Sequence, residues 1–355
     1  MLTLVTPNQM VPPKHPIRTV KKLADECLAE LSSTFDEMYP ATGRPSIPPE
    51  RLLKAQLLMA LFSVSSERML CERIQYDMMF RWFLDMSLDE NVFDQSSFSK
   101  NRDRLLEHEV AHRFLQKVVK RARREALMSS EHFSVDGTLM EAWASMKSFK
   151  PKTESKRHDD EGGGGHGDNN GWADFKGTKR SNDTHESTTD PEAKLRRKGR
   201  GQEAKLCFAE HVLMENRNGL IVDMMVTPSV GRPEPVVALE LLCRALPTGR
   251  ISVGADKAYD TKDFVERCRE MNITPHVARN ENARRSSNLD ARTTRFAGYQ
   301  WSQRVRRRIE SIFGWKKTVG GCRKSRYRGI AKTQLFATFA AAAYNLLRMT
   351  KLVAA

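Results

Sequence analysis

Through the first third of the chain, apolar positions recur at helical spacing. Near residue 131 they give way to short continuous runs separated by turn residues. Leu23, Cys27, Leu28 and Leu31 predict one amphipathic helix over 16–40, broken by the Gly/Pro-rich stretch 43–49. Leu52, Leu53, Gln56, Leu57, Ala60 and Leu61 form the apolar stripe of a helix within 46–64, with Pro48 and Pro49 suited to its first turn. Ser65 or Ser66 can cap a helix over 67–77, and a serine near 96–97 a helix over 98–107 that displays Lys100, Arg102 and Arg104. A further basic helix is expected over 110–130. This series is compatible with a helix-turn-helix-like DNA-binding unit and equally with an ordinary bundle whose charges face water.

Beyond 131 the pattern is that of a mixed sheet. Phe133, Ser134 and Val135 suggest a short strand. The polar stretch 147–202, with glycines at 162–165, has too little apolar area to offset its ordering and is expected to be a flexible insertion. Two strands, 206–214 and 220–226, flank the hairpin signal Asn216-Arg217-Asn218-Gly219. A helix (234–246), a strand (251–255), a helix (261–271) and a strand (274–278) follow. Helices over 302–315 and 333–351 complete the series. Three strands followed by alternating helices and strands describe an α/β, ribonuclease-H-like mixed sheet preceded by an all-α domain. The expected division is an N-terminal helical arm (1–43), a helical DNA-binding or oligomerisation domain (44–130), a catalytic domain (131–332) with its insertion at 147–204, and a packing helix (333–355).

Charge narrows the partners. With 59 Lys and Arg against 44 Asp and Glu, the net charge is +15 and the pI about 9.6, which favours polyanions. The six cysteines lack CxxC spacing, so free thiols are expected and a zinc module or disulfide framework is not. His158, His166 and His185 are irregularly spaced within the polar stretch and do not form a metal motif. The absence of a run of about 18 apolar residues, and of a basic head and apolar core in 1–15, gives the expectation of a cytoplasmic protein with no membrane association.

The candidate chemistry lies in three acids. Asp136 and Asp256 each follow an apolar strand-like run, and Glu310 sits in a strongly basic helix. Carboxylates on neighbouring strand ends, closed by a third from a helix, can hold two Mg²⁺ ions about 4 Å apart for in-line phosphoryl transfer. In the helix around Glu310, Val305, Ile309, Ile312 and Phe313 define a core face, while Gln303, Arg306, Glu310 and Lys317 share an adjoining one. Taken singly, Glu310 reads as well as an ion-pair partner, Asp136 as part of an Asp-Gly turn and Asp256 as a helix cap. Between Arg304 and Arg328 there are ten Lys or Arg and one acid, Glu310 itself, which suits a phosphate-binding track. Trp143, Trp172, Tyr299 and Trp301 are either stacking platforms for a displaced base or loop anchors.

Asp136 in Ser-Val-Asp-Gly-Thr, Asp256 in Gly-Ala-Asp-Lys-Ala-Tyr-Asp, and the spacing Arg306, Glu310, Lys317 resemble the DDE transposases of bacterial insertion sequences, the fifth insertion-sequence family above all. The tyrosine of that family's signature is replaced by Gln303, and Ala258 stands where glycine is frequent. The resemblance implies that Asp136, Asp256 and Glu310 ligate two Mg²⁺ or Mn²⁺ ions. It implies that Arg306 and Lys317 hold phosphates near the scissile bond; Lys257 and Tyr259, beside Asp256, read either as contacts to the strand backbone or as solvent-facing residues at a helix start. Double-stranded DNA, as transposon ends and as target, is then the partner, bound by a homodimer or higher oligomer associated with the nucleoid. A nuclease without strand transfer, or a non-catalytic DNA-binding regulator, are the competing functions.

Overall fold

The computed structural model describes residues 6–38, 47–107, 109–152, 180–199, 201–245, 250–281 and 286–353. Eight helices come first: α1 (Pro7–Met10), α2 (Pro16–Ala29), α3 (Ser32–Met38), α4 (Pro49–Leu61), α5 (Glu67–Tyr76), α6 (Met78–Phe83), α7 (Gln95–Glu107) and α8 (Val110–Arg124). The single helix expected over 16–40 is therefore two. The chain turns between them, with the Leu31 N–H on the Leu28 carbonyl at 2.8 Å. Ser66 caps α5 through the Met69 N–H, as one of the two serines was expected to. At α7 the cap is Asp94, whose Oδ1 accepts from Ser96 and Ser97, so the helix begins earlier than a serine cap would allow. The sequence pattern did not disclose α6, and α8 stops at Arg124.

The sheet is built from β1 (His132–Glu141), β4 (Lys194–Arg197), β5 (Ala204–Glu215), β6 (Ile221–Pro228), β7 (Ile251–Ala255) and β8 (Ile273–Val277); β2 (Phe149–Pro151) and β3 (His185–Ser187) form a separate hairpin. Its order is β4-β5-β1-β7-β8, with β6 sharing the outer edge of β5 with β4. β5 runs antiparallel to β1 and β6 to β5, while β7 and β8 extend the sheet parallel to β1. Three antiparallel strands extended by two parallel ones form the ribonuclease-H-like core.

Between and after these strands come α9 (Glu234–Ala245), α10 (Lys262–Glu270), α11 (Ala291–Thr294), α12 (Ala297–Val305), α13 (Arg308–Thr318) and α14 (Ile330–Val353). Gly219, at φ +73°, closes the β5–β6 hairpin in the left-handed conformation that glycine permits. The segment expected to be an insertion carries β2, β3 and β4 at its ends, and His185 stacks on Phe149 with ring centroids 5.4 Å apart. His158, His166, Trp172 and the glycines 162–165 lie outside the described residues.

α14 is the spine of the molecule. It packs against α2, α4 and α8 on one side and against β6 and α13 on the other. Ala340, Ala341, Ala342 and Ala343 are wholly buried, and such small side chains let neighbouring backbones approach closely. One apolar cluster consequently runs from Val20 and Leu57 in the helical half to Val212 and Val253 in the sheet. A polar joint reinforces it. Arg102 of α7 pairs with Glu67 of α5 and lies over the Tyr327 ring at 4.6 Å, and the Tyr327 hydroxyl donates to Glu67 at 3.0 Å.

Candidate catalytic site

Asp136 is not at a strand end. β1 continues five residues past it, pairing with β5 throughout, so Asp136-Gly137 is sheet and not a turn. The β1–β7 pairing stops at Ser134 opposite Gly254. Counting two residues on from that pair reaches Asp136 within β1 and Asp256 just past the end of β7, so the two are level. Each aspartate accepts through Oδ1 from a nearby backbone N–H, Asp136 from Gly137 and Asp256 from Ala258, both at 2.8 Å. Neither second carboxylate oxygen has a hydrogen-bond partner among the described residues.

The helix expected over 302–315 is interrupted at Arg306 and Arg307. Backbone dihedrals stay right-handed there, but the bonds tighten to three-residue spacing, Ile309 to Arg306 and Glu310 to Arg307, both 3.1 Å. The four-residue polar face inferred from a continuous helix is thus divided between α12 and α13. Gln303 anchors the joint, donating to the His276 carbonyl on β8 and accepting from Arg306 Nε at 2.9 Å. Gly254 makes room for it, because a β-carbon there would lie 3.0 Å from Ser134 Oγ and 3.3 Å from Arg306 Cβ. At the far end of α13, Lys317 Nζ donates to Thr138 Oγ1 of β1 at 2.5 Å. Arg306 at Gly254 and Lys317 at Thr138 lay α13 along β1, and Glu310 lies between them.

Val305, Ile309, Ile312 and Phe313 are buried, as their spacing predicts. Lys316 is buried as well, paired with Glu210 of β5 and donating to the Ala337 carbonyl at 3.0 Å. Glu310 is exposed and makes no side-chain hydrogen bond or ion pair among the described residues. The helix-surface ion pair is therefore not formed; Arg306 turns to Gln303.

Electrostatically, Asp136 is the strained member. Burial pushes its carboxyl up to about 6; the Gly137 N–H opposes the rise, Asp256 and Glu234 add to it, and Arg306 opposes it. Glu234, at the first turn of α9, was not a sequence candidate, since an acid there reads as an ordinary complement to the helix dipole. Burial, then Asp256, raises its carboxyl too, with Arg196 opposing. Burial also pushes the Lys317 ammonium down, with Lys198 and Arg323 acting the same way and Glu210 against them.

Two expected DNA contacts are corrected. Tyr259 is 1% exposed, its ring edge-on to Phe264 at 5.5 Å, so it is a core residue beneath the acids and not a strand contact. Arg102 is 6% exposed and committed to Glu67, Asp103 and Tyr327, so it does not face DNA. Lys257, Lys100 and Arg104 are exposed. Tyr299 ties α12 to the end of β8, donating to the Val277 carbonyl at 3.0 Å, Trp301 is exposed, and Trp143 lies under Arg328 at 4.6 Å.

Among the described residues no three His, Cys, Asp or Glu side chains stand close enough together to hold an ion as they are. Asp136 and Asp256 are brought together, and Glu310 is not closed onto them. The pair nonetheless has the chemistry a hard divalent cation takes, oxygen donors only, and its repulsion is what such a charge relieves. All six cysteines are free, and no described helix is long and apolar enough to cross a membrane.

Two family models match the chain: Transposase domain (DUF772) over residues 5–104 and Transposase DDE domain over residues 174–346. Together they span most of the sequence, and the chain belongs to the DDE transposases of insertion sequences. Asp256 and Glu310 fall inside the second match, while Asp136 lies between the two. No protein of curated function matches the chain. Among solved structures, the piggyBac transposase synaptic complex with hairpin DNA aligns with TM-score 0.43 and 9% identity, over 96% of this chain and 76% of that one. The Mos1 transposase paired-end complex with left transposon end aligns with TM-score 0.20 and 13% identity, over 75% and 78%.

Proposed function

We propose that this transposase binds the terminal inverted repeats of its element as a homodimer or higher oligomer, cleaves the DNA strands there and joins the freed 3′ ends to target DNA. The observation that carries this reading is the placement of Asp136 and Asp256, level on neighbouring strands, with α13 laid beside them. Asp136, Asp256 and Glu310 would hold two Mg²⁺ or Mn²⁺ ions, Glu310 swinging in from its exposed position between Arg306 and Lys317. The ions, when bound, neutralise charge on the attacking and leaving oxygens of an in-line transfer. Arg306, its guanidinium oriented by Gln303, and Lys317, braced on Thr138, are placed to hold phosphates on either side of Glu310. Lys257 offers a further backbone contact. End recognition is assigned to the helical half, with Lys100 and Arg104 on the exposed side of α7.

The test is cleavage and joining of labelled end DNA by the full chain in Mg²⁺, with Asp256→Asn and Glu310→Gln beside it. Both variants should lose both steps while still binding the ends, since affinity rests on phosphate contacts. Near-normal cleavage by either variant removes that residue from the site. Hydrolysis without joined products replaces strand transfer with a nuclease.

A further inference from the structure

At Gly137 a glutamate that belongs to neither the strands nor α13 reaches the edge of β1. A β-carbon on Gly137 would lie 3.2 Å from Glu234 Cδ and 3.4 Å from its Oε1, so glycine is what lets this carboxyl settle against β1, one residue along from Asp136. The same spot is 3.3 Å from His211 Nδ1. His211 is the direct cross-strand partner of Gly137, only 2% exposed, and its Nε2 is already bonded to Thr227 Oγ1 at 3.0 Å. Its Nδ1 has no hydrogen-bond partner among the described residues. A buried ring nitrogen without a partner is costly and calls for a polar group where it points.

Strand alternation puts Asp136 on the sheet face covered by α13 and Gly137 on the face covered by α9. The two faces communicate here because β7 ends at Ala255, so among the described residues the edge of β1 has no strand beside it from Val135 until Glu141 bridges to Lys324. Side chains from both layers can meet around that open edge. α9 packs against β1 and against the turn Lys257–Tyr259 that follows Asp256. Buried Tyr259 lies among the acids: burial first, then the charges of Glu234, Asp136 and Asp256, hold its hydroxyl in the protonated form.

We propose that Glu234 is a further carboxylate of the divalent-cation site, entering from the face opposite Glu310. This rests on the cation-site reading of Asp136 and Asp256 given above. Asp136, Asp256 and Glu234 raise one another's charge cost without standing close enough to share an ion as they are; a cation would draw them together around the strand edge, and His211 Nδ1 would meet the water it carries.

The test is Mn²⁺ binding by the full chain, followed by the electron paramagnetic resonance signal of free Mn²⁺, with melting curves in metal-free buffer. Glu234→Gln should weaken Mn²⁺ at least about tenfold, the scale set by losing a group that supports a metal site, and Glu234→Asp should weaken it less. Metal-free Glu234→Gln should melt no lower than wild type, because a repelling charge has gone. Wild-type Mn²⁺ affinity in Glu234→Gln, alongside its loss in Asp136→Asn, overturns the proposal. So does weakened binding that comes only with a lowered metal-free melting point, which marks a structural role. Wild-type affinity in Asp136→Asn is a different result and removes the cation site itself.

Discussion

Substituting Asp136 by Asn should make the metal-free protein more stable at neutral pH. Asparagine keeps the oxygen that accepts from the Gly137 N–H and loses the charge. In the fold the carboxyl titrates near 6, against 3.8 when free. A raised acid pKa means that the neutral form is favoured in the fold. Its contribution is full below about pH 4 and is lost as pH rises through about 6. At about 1.4 kcal/mol per unit, the ionised group costs about 2 to 3 kcal/mol above pH 7, and this is the gain expected for Asp136→Asn. Urea denaturation in EDTA at pH 5 and pH 8 measures it. Wild type should lose stability between these values relative to the variant, and Mg²⁺ should narrow the gap by stabilising wild type alone. An Asp136→Asn chain that is less stable than wild type at pH 8 without metal, or a gap that does not change with pH, refutes the reasoning.

Lys316→Met strands the Glu210 carboxylate in the core and should cost about 3 to 5 kcal/mol; adding Glu210→Gln should recover much of it, as a double-mutant cycle by urea denaturation would show. Arg102→Ala should lower the melting temperature, having removed a buried ion pair and a ring contact, whereas Lys100→Ala should leave melting unchanged and reduce the salt dependence of end binding by about one phosphate contact. Lys317→Ala should slow cleavage at saturating Mg²⁺ with unchanged end affinity; a normal single-turnover rate would leave it a brace for α13 alone.

Much of the sheet was legible because its strands are short apolar runs between strong turn signals, as at Asn218-Gly219. The aspartate pair was legible because both acids follow such runs. What the pattern hid was decided by distant partners or by backbone. β1 is longer than its apolar stretch because its polar outer half is held by β5 and lines the site. The joint at Arg306 and Arg307 has no proline or glycine to announce it. Its cause is packing, with Gln303 tied to β8 and Gly254 admitting Arg306. Arg102 shares a helix with exposed Lys100 and Arg104, and only Glu67 and Tyr327, far away in sequence, show that it points inward. Glu234 carries no local signal beyond an acid at a helix start, because its significance comes from the glycine opposite it.

The central position of α14 bears on when this enzyme can come into existence. The helices it clamps, α2, α4 and α8, emerge from the ribosome first, and the apolar surface that α14 covers on them has no cover until residues 330–353 arrive. At 5 to 20 residues per second, the roughly two hundred residues between α8 and α14 take about 10 to 40 s to synthesise. During that interval the strands of the sheet are completed at β8, yet the helical half and the sheet still lack the helix that packs against both. Docking of the two halves through α14 is therefore a late event in the synthesis of the chain.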